Sequence, residues 1–227
     1  MQFTINQDLL QNAHVKIGNR ANIFWVVGGA GSGKSTICQA LATQFDITIY
    51  DLDAHIYGDY HGRFSTTRHP VNTMWASAPN GLAWLLDLSW EEFNSFNQAA
   101  LAEYVDLMAE DLNKFDPLQA ILLDGGICNP AIAAQVIPAT QMVCLANPTQ
   151  TSVHIWEGNA ERLAMKDYFA QFEEPEAVWQ KFLHFDAQIS TTILRESEAA
   201  HIPICIRSAE DSIQSITKQV ASLLGIN

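Results

Sequence analysis

A chain of 227 residues, 48% of them apolar, is long enough to bury the core of one α/β domain with insertions, and a second full domain is not expected. Its formal net charge of −13 argues against nucleic acid or an anionic membrane as the main partner, because both reward a basic surface. No apolar run exceeds five residues, far short of the roughly 20 that span a bilayer, and the polar start Met1-Gln2-Phe3-Thr4 lacks a signal-peptide design, so the expectation is a soluble, cytoplasmic protein.

Residues 1 to 22 read as a short strand at Phe3 and Ile5 and a helix from Leu9 to Val15, placed as cover for one sheet edge. The apolar run Ile23-Phe24-Trp25-Val26-Val27 reads as a buried strand. Directly after it stands Gly28-Gly29-Ala30-Gly31-Ser32-Gly33-Lys34-Ser35, a full match to G-x-x-x-x-G-K-[ST]. The helix pattern of Ile37, Ala40 and Leu41 completes the context. Glycines let main-chain N–H groups turn inward around an anion, and the following helix aims the positive end of its dipole at it. Lys34 can then reach β- and γ-phosphates, and the Ser35 hydroxyl can ligate Mg²⁺. The predicted nucleotide-binding set is Gly28, Gly29, Ala30, Gly31, Ser32, Gly33, Lys34, Ser35 and Thr36. An unliganded glycine turn is the plain alternative. A dinucleotide fingerprint fails, because it needs a small residue where Lys34 stands.

The β-branched run Ile47-Thr48-Ile49-Tyr50 predicts a second strand, ending in Asp51-Leu52-Asp53. Two acids spaced this way leave on opposite sides of the turn only if the strand stops between them. Residues 54–116 form an insertion longer than a crossover helix. It holds His55, Tyr57, Tyr60, His61, Arg63, Arg68 and His69, the turn Pro79-Asn80-Gly81, and a capping box at Ser89-Trp90-Glu91-Glu92 that opens a long helix ending before Asp116-Pro117. The histidine spacings match no zinc pattern; the expectation is that at least one lines an acceptor pocket with Tyr57 and Tyr60.

Ala120-Ile121-Leu122-Leu123 predicts a third strand ending in Asp124-Gly125-Gly126, and Met142 to Leu145 a fourth ending at Asn147-Pro148. Residues 149–200 read as helical with a break near Glu174-Pro175. Ile202 to Ile206 predicts a fifth strand, and Ser212 to Leu224 a closing amphipathic helix. Cys38, Cys128, Cys144 and Cys205 sit singly and read as buried thiols. Between Lys34 and Lys114 the only lysine or arginine residues are Arg63 and Arg68; between Lys114 and Lys181 they are Arg162 and Lys166. An acidic protein that binds polyphosphate must focus its cations locally, which directs attention to these two pairs.

The layout resembles the small-molecule and nucleoside-monophosphate kinase branch of the P-loop proteins, which includes shikimate and gluconate kinases. The resemblance runs from Ile23 to the C-terminus and rests on the loop at 28–35, the Asp51-x-Asp53 pair and the helical segment carrying Arg162. It implies a single three-layer P-loop domain with a five-stranded parallel sheet in the order 2-3-1-4-5, helices on both faces, an acceptor-binding segment at 54–116 and a helical lid within 149–200. The arginine pattern that holds the carboxylate of shikimate is not recognisable, so only the reaction class carries over.

These residues predict an ATP- and Mg²⁺-dependent kinase acting on a hydroxyl of a small metabolite or nucleoside-like acceptor. Lys34, Asp53 and Arg162 are the expected catalytic set, with Asp53 as base or orienter. Ser35 with Asp51 or Asp124 is expected to hold the metal; Asp53, Arg63, Arg68, Gly125 and Gly126 are expected to meet the acceptor. Capping carboxylates, a turn at Asp-Gly-Gly and a solvated helix face pairing Arg162 and Lys166 with Glu161 or Asp167 are the plainer readings. A nucleotide-dependent switch acting on a protein partner and a nucleoside-monophosphate kinase clamped by Arg63 and Arg68 are the alternatives.

Overall fold

The computed structural model describes residues 2–126, 129–208 and 210–226, without the side chain of Glu161. Helix α1 (Gln7–Ile17) starts on Asn6, whose Oδ1 accepts from the amides of Asp8 and Leu9. Strand β1 (Ile23–Val27) leads through the glycine loop to α2 (Lys34–Phe45), and β2 (Thr48–Asp51) runs straight into α3 (Leu52–Ile56). A 3₁₀ turn at Asp59–Gly62 precedes α4 (Pro70–Ala76), α5 (Gly81–Asp87) and the long α6 (Trp90–Leu112). Then come β3 (Ile121–Asp124), α7 (Pro130–Ala133), β4 (Met142–Ala146), α8 (Ser152–Glu157), α9 (Ala160–Phe169), α10 (Pro175–Ala199), β5 (Ile204–Ile206) and α11 (Ile213–Leu224).

The five strands pair in parallel in the order β2-β3-β1-β4-β5. Val26 and Asp51 both lie opposite Asp124, so the glycine loop and the acids leave the sheet at the same edge. In a parallel α/β sheet that edge, at the carboxyl ends of the strands, is where ligand crevices form. Alternate residues of each strand enter different cores. Ile23, Trp25, Leu123 and Met142 pack with α1, α6 and α10, whereas Val26, Leu122, Val143 and Leu145 pack with α2 and α11. Helices therefore cover both faces, and the larger core holds the helices that surround the crevice.

Local chemistry explains the boundaries. Ser89 Oγ accepts from the Glu92 amide at 3.2 Å while Glu92 Oε2 accepts from the Ser89 amide at 2.9 Å, the reciprocal bonds of a capping box that fix the start of α6. Pro175 is the first residue of α10, a position where its missing N–H costs nothing. β5 is shorter than the apolar run predicts: Pro203 cannot donate to the ladder, and the Ile202 amide turns to Ser197 O instead.

The N-terminal expectation needs correction. Phe3 and Ile5 form no strand; the Phe3 ring meets Trp84 and Phe96 edge-on at 6.1 and 5.4 Å, and α1 packs along α6 rather than over a sheet edge. Its apolar stripe of Leu10, Ala13 and Ile17 finds more to bury against that long helix than a two-residue strand could offer. Cys38, Cys144 and Cys205 are buried free thiols, and Cys128 lies outside the described residues. No helix among the described residues is long and apolar enough to cross a membrane.

Candidate functional site

The glycine loop leaves β1 and ends at Gly33, whose φ of 92° is a conformation that favours glycine and which has no side chain to cap α2. The first amides of α2 are therefore free to face an external acceptor, and its first turn carries no carboxylate to compete for them. Ser32 Oγ and Lys34 Nζ both donate to Gly29 O, at 2.9 and 3.2 Å, which braces the loop and lays the ammonium across it. Three other elements press on this loop. A Cβ on Gly29 would lie 2.3 Å from Ser190 Oγ of α10, one on Gly31 2.7 Å from Ile155 of α8, and one on Gly33 2.6 Å from Arg207 Nη1 after β5.

The loop opens into a cavity of about 850 Å³. One wall comes from the loop, α2, α8 and α9, α10 and the turn after β5; it includes Lys34, Ser35, His154, Trp156, Arg162 and Arg207. Most of the rest of the lining comes from α3 to α6 and includes Tyr57, Trp75, Leu85, Phe96, Asn97 and Tyr104. Asp53 stands with Lys34 in this cavity.

The acids part ways where the strand stops. β2 ends at Asp51, which turns outward, caps α3 by accepting from the Ala54 amide at 3.0 Å and does not line the cavity. Asp51, expected as a metal ligand, caps α3 through its Oδ1, and the structure does not bring it to the cavity that Ser35 lines. Asp53, on the first turn of α3, faces the cavity and accepts from the Gly126 amide. Loss of hydration raises its carboxyl above the ordinary range; Lys34 and that amide pull in the other direction without cancelling the effect. Gly126 lines the cavity, but Gly125 does not: a Cβ there would lie 2.3 Å from Asp53 Oδ2, so Gly125 makes room for the acid instead of touching a ligand.

Asp124, at the end of β3, is buried, and its Oδ1 meets no hydrogen-bond partner among the described residues. Burial, and next the neighbouring Asp124 carboxylate, push the Cys38 thiol up. An unpaired buried carboxylate oxygen is costly unless a cation or a water completes it. Ser35 lines the cavity and Asp124 does not; both carry the hard oxygen donors that a magnesium ion prefers.

Arg63 and Arg68 do not line the cavity. Arg63 reaches Asp111 Oδ2 at 2.5 Å and Glu110 Oε2 at 3.4 Å; Arg68 reaches Asp106 Oδ2 and Glu110 Oε1, both at 2.6 Å. His69, itself buried, adds a 3.1 Å contact to Asp106. Burial alone would raise both aspartates, but His69 and Arg68 at Asp106, and Arg63 and Lys114 at Asp111, outweigh it and hold both carboxyls below the usual range. The acceptor role expected of these arginines is corrected: the acids of α6 have consumed them. His55, Asp59 and Asp111 also lie within 4.8 Å of one another, but Arg63 already supplies their positive charge.

Arg162 does line the cavity, stacked over the Trp156 ring at 5.1 Å, and its Nη1 is buried without a partner among the described residues. Lys166 turns away to Glu157 at 3.2 Å and the Trp179 ring at 5.5 Å. Of the pocket lining expected from sequence, Tyr57 lines the cavity, whereas Tyr60 is buried and His55, His61 and His69 do not line it; Arg207, His154, Asp186 and the rings of Trp75, Phe96 and Tyr104 were not expected there. Arg207 had a usable signal, since a cation just past the carboxyl end of a parallel strand falls in the crevice. The aromatics had none, because rings at helical spacing read equally well as core. The sequence matches no protein-family model and no curated protein.

Proposed function

We propose that the protein is an ATP- and Mg²⁺-dependent kinase of the P-loop type that phosphorylates a hydroxyl of a small molecule. The observation that carries this reading is the convergence, in one cavity, of an anion-cradling loop with its lysine and a carboxylate of raised proton affinity. Phosphoryl transfer asks for little more than positioning, charge neutralisation and a poised acceptor oxygen.

The loop amides and Lys34 would hold the β- and γ-phosphates, and Arg162 and Arg207 would add charge from the helical cover and the turn after β5. Ser35 and Asp124 are the residues fit to hold Mg²⁺, which when bound neutralises charge on the phosphates. Asp53 would accept the proton of the acceptor hydroxyl as that oxygen bonds to the γ-phosphorus. The bond from that phosphorus to the β,γ-bridging oxygen breaks, and ADP leaves. α8 and α10 cover the loop and limit water, which would otherwise compete as acceptor.

The test is ADP release across a panel of metabolites, with the Lys34→Ala protein as control. Acceptor-stimulated release that the control loses supports the kinase. A flat response across the panel, with hydrolysis stimulated instead by a protein partner, would overturn it in favour of a nucleotide-dependent switch.

A further inference from the structure

Resting on that phosphotransfer reading, we infer that the acceptor is an uncharged, ring-bearing alcohol, because the part of the cavity lining that comes from α3 to α6 offers aromatic faces and an amide but no cation, and Lys34, the cation whose charge reaches Asp53, is assigned to the phosphates. Asp53 and Tyr57 are four residues apart, joined by the bond from the Tyr57 amide to Asp53 O at 3.0 Å, so the ring stands one turn from the carboxylate. Trp75 packs edge-on against Tyr57 with ring centroids 6.2 Å apart, and α6 contributes Phe96, Asn97 and Tyr104 to the same wall. The aromatic surface therefore belongs to the end of the cavity where Asp53 would meet the acceptor oxygen.

Charge is distributed the other way. The lysine, arginine and histidine side chains lining the cavity, among the described residues, are Lys34, His154, Arg162 and Arg207, all from the loop side. Arg63 and Arg68, the cations nearest in sequence to the acceptor wall, are held by Asp106, Glu110 and Asp111. A carboxylate or phosphate on the acceptor would lose its water against aromatic rings and face the Asp53 carboxyl, with no cation from α3 to α6 to offset it. That disfavours sugar acids and nucleoside monophosphates. Flat faces and edge-to-face packing suit a ring, and Asn97 can both donate to it and accept from it. A cavity of about 850 Å³, shared with the nucleotide tail, leaves room for one small ring system. In the transfer the ring's hydroxyl oxygen gains the phosphoryl group as its P–O bond to ADP breaks, and the hydroxyl proton passes to Asp53.

The full chain is tested with ATP, Mg²⁺ and matched acceptors: benzyl alcohol, 4-(hydroxymethyl)benzoate and 4-(aminomethyl)benzyl alcohol, and thymidine beside its 3′-monophosphate, which keeps the 5′-hydroxyl. ADP release and product mass are read together, and binding of a fluorescent ATP analogue is measured separately. The neutral member of each set is expected to show kcat/KM at least ~10-fold above its charged partners. Tyr57 is 71% exposed, so Tyr57→Ala should keep its melting temperature, raise KM for the neutral alcohol roughly tenfold and leave kcat within about twofold. Asn97→Arg should move the preference toward the anionic member. A charged member preferred by the unaltered protein, or no neutral alcohol accepted by protein that still binds the analogue, overturns the acceptor class. Failure to bind the analogue at all strikes the phosphotransfer reading, and the acceptor class falls with it.

Discussion

Lys34 and the arginines of the insertion carry the same charge and end in opposite surroundings. Lys34 lies across its own loop beside an open cavity, whereas Arg63 and Arg68 are gripped by three acids of α6. The first outcome follows from eight consecutive residues. The second depends on a helix some forty residues further along, which brings Asp106 and Glu110, one turn apart, to Arg68 and brings Glu110 and Asp111 to Arg63. A cation's role is thus readable locally only when the backbone beside it is already committed to a shape.

The sharpest way to break this contrast is Lys34→Ala, which should lower acceptor-dependent ADP formation on the order of 10³-fold while the melting temperature holds. Asp53→Asn comes next, with kcat down roughly a hundredfold and binding of the ATP analogue retained. Because Asp53 must be ionised to take a proton and its carboxyl is raised, the wild-type rate should fall as pH drops through a value above the ordinary carboxylate range. The same raised group burdens the fold once ionised, so Asp53→Asn should melt slightly higher than wild type at neutral pH. A lower melting temperature would count against that sign.

On the other side of the comparison, Asp106→Ala leaves His69 and Arg68 without their buried partner and should cost about 3 kcal/mol in a denaturant titration. Arg63→Ala removes a partly exposed charge and should cost about 1 kcal/mol, with KM for the acceptor unchanged. A large rise in KM would return Arg63 to the site. The smallest effect is in pH. Asp106 and Asp111 are held low, so their contribution is present above the ordinary carboxylate pKa and is lost as pH falls through their folded values. Acid unfolding of Asp111→Asn should accordingly show a shallower dependence on pH in that range.

Strand positions, the loop and the start of α6 were legible because short apolar runs, glycine spacing and a capping box are local signals; the sheet order came only from the resemblance to P-loop kinases. Asp53 was legible for the same reason, as the second acid after a strand that ends between two. Asp51 and Gly125 fall outside the cavity lining, since a cap and a clearance for a neighbouring side chain look, in sequence, like ligand-binding positions. Of the aromatic wall only Tyr57 was legible, because Trp75, Phe96 and Tyr104 sit in helices where a ring reads the same whether it faces the core or the cavity. Only the packing of α3 to α6 distinguishes the two.

The three close approaches to Gly29, Gly31 and Gly33 bear on transplantation. Ser190, Ile155 and Arg207 come from three separate parts of the chain, and each occupies the space a methyl group would need. The octapeptide is consequently not a portable cassette: grafted under a different roof it would lose its fit, and a bulkier residue would strain the backbone at Gly31 or Gly33, where φ is positive, and displace the Ser190 side chain at Gly29.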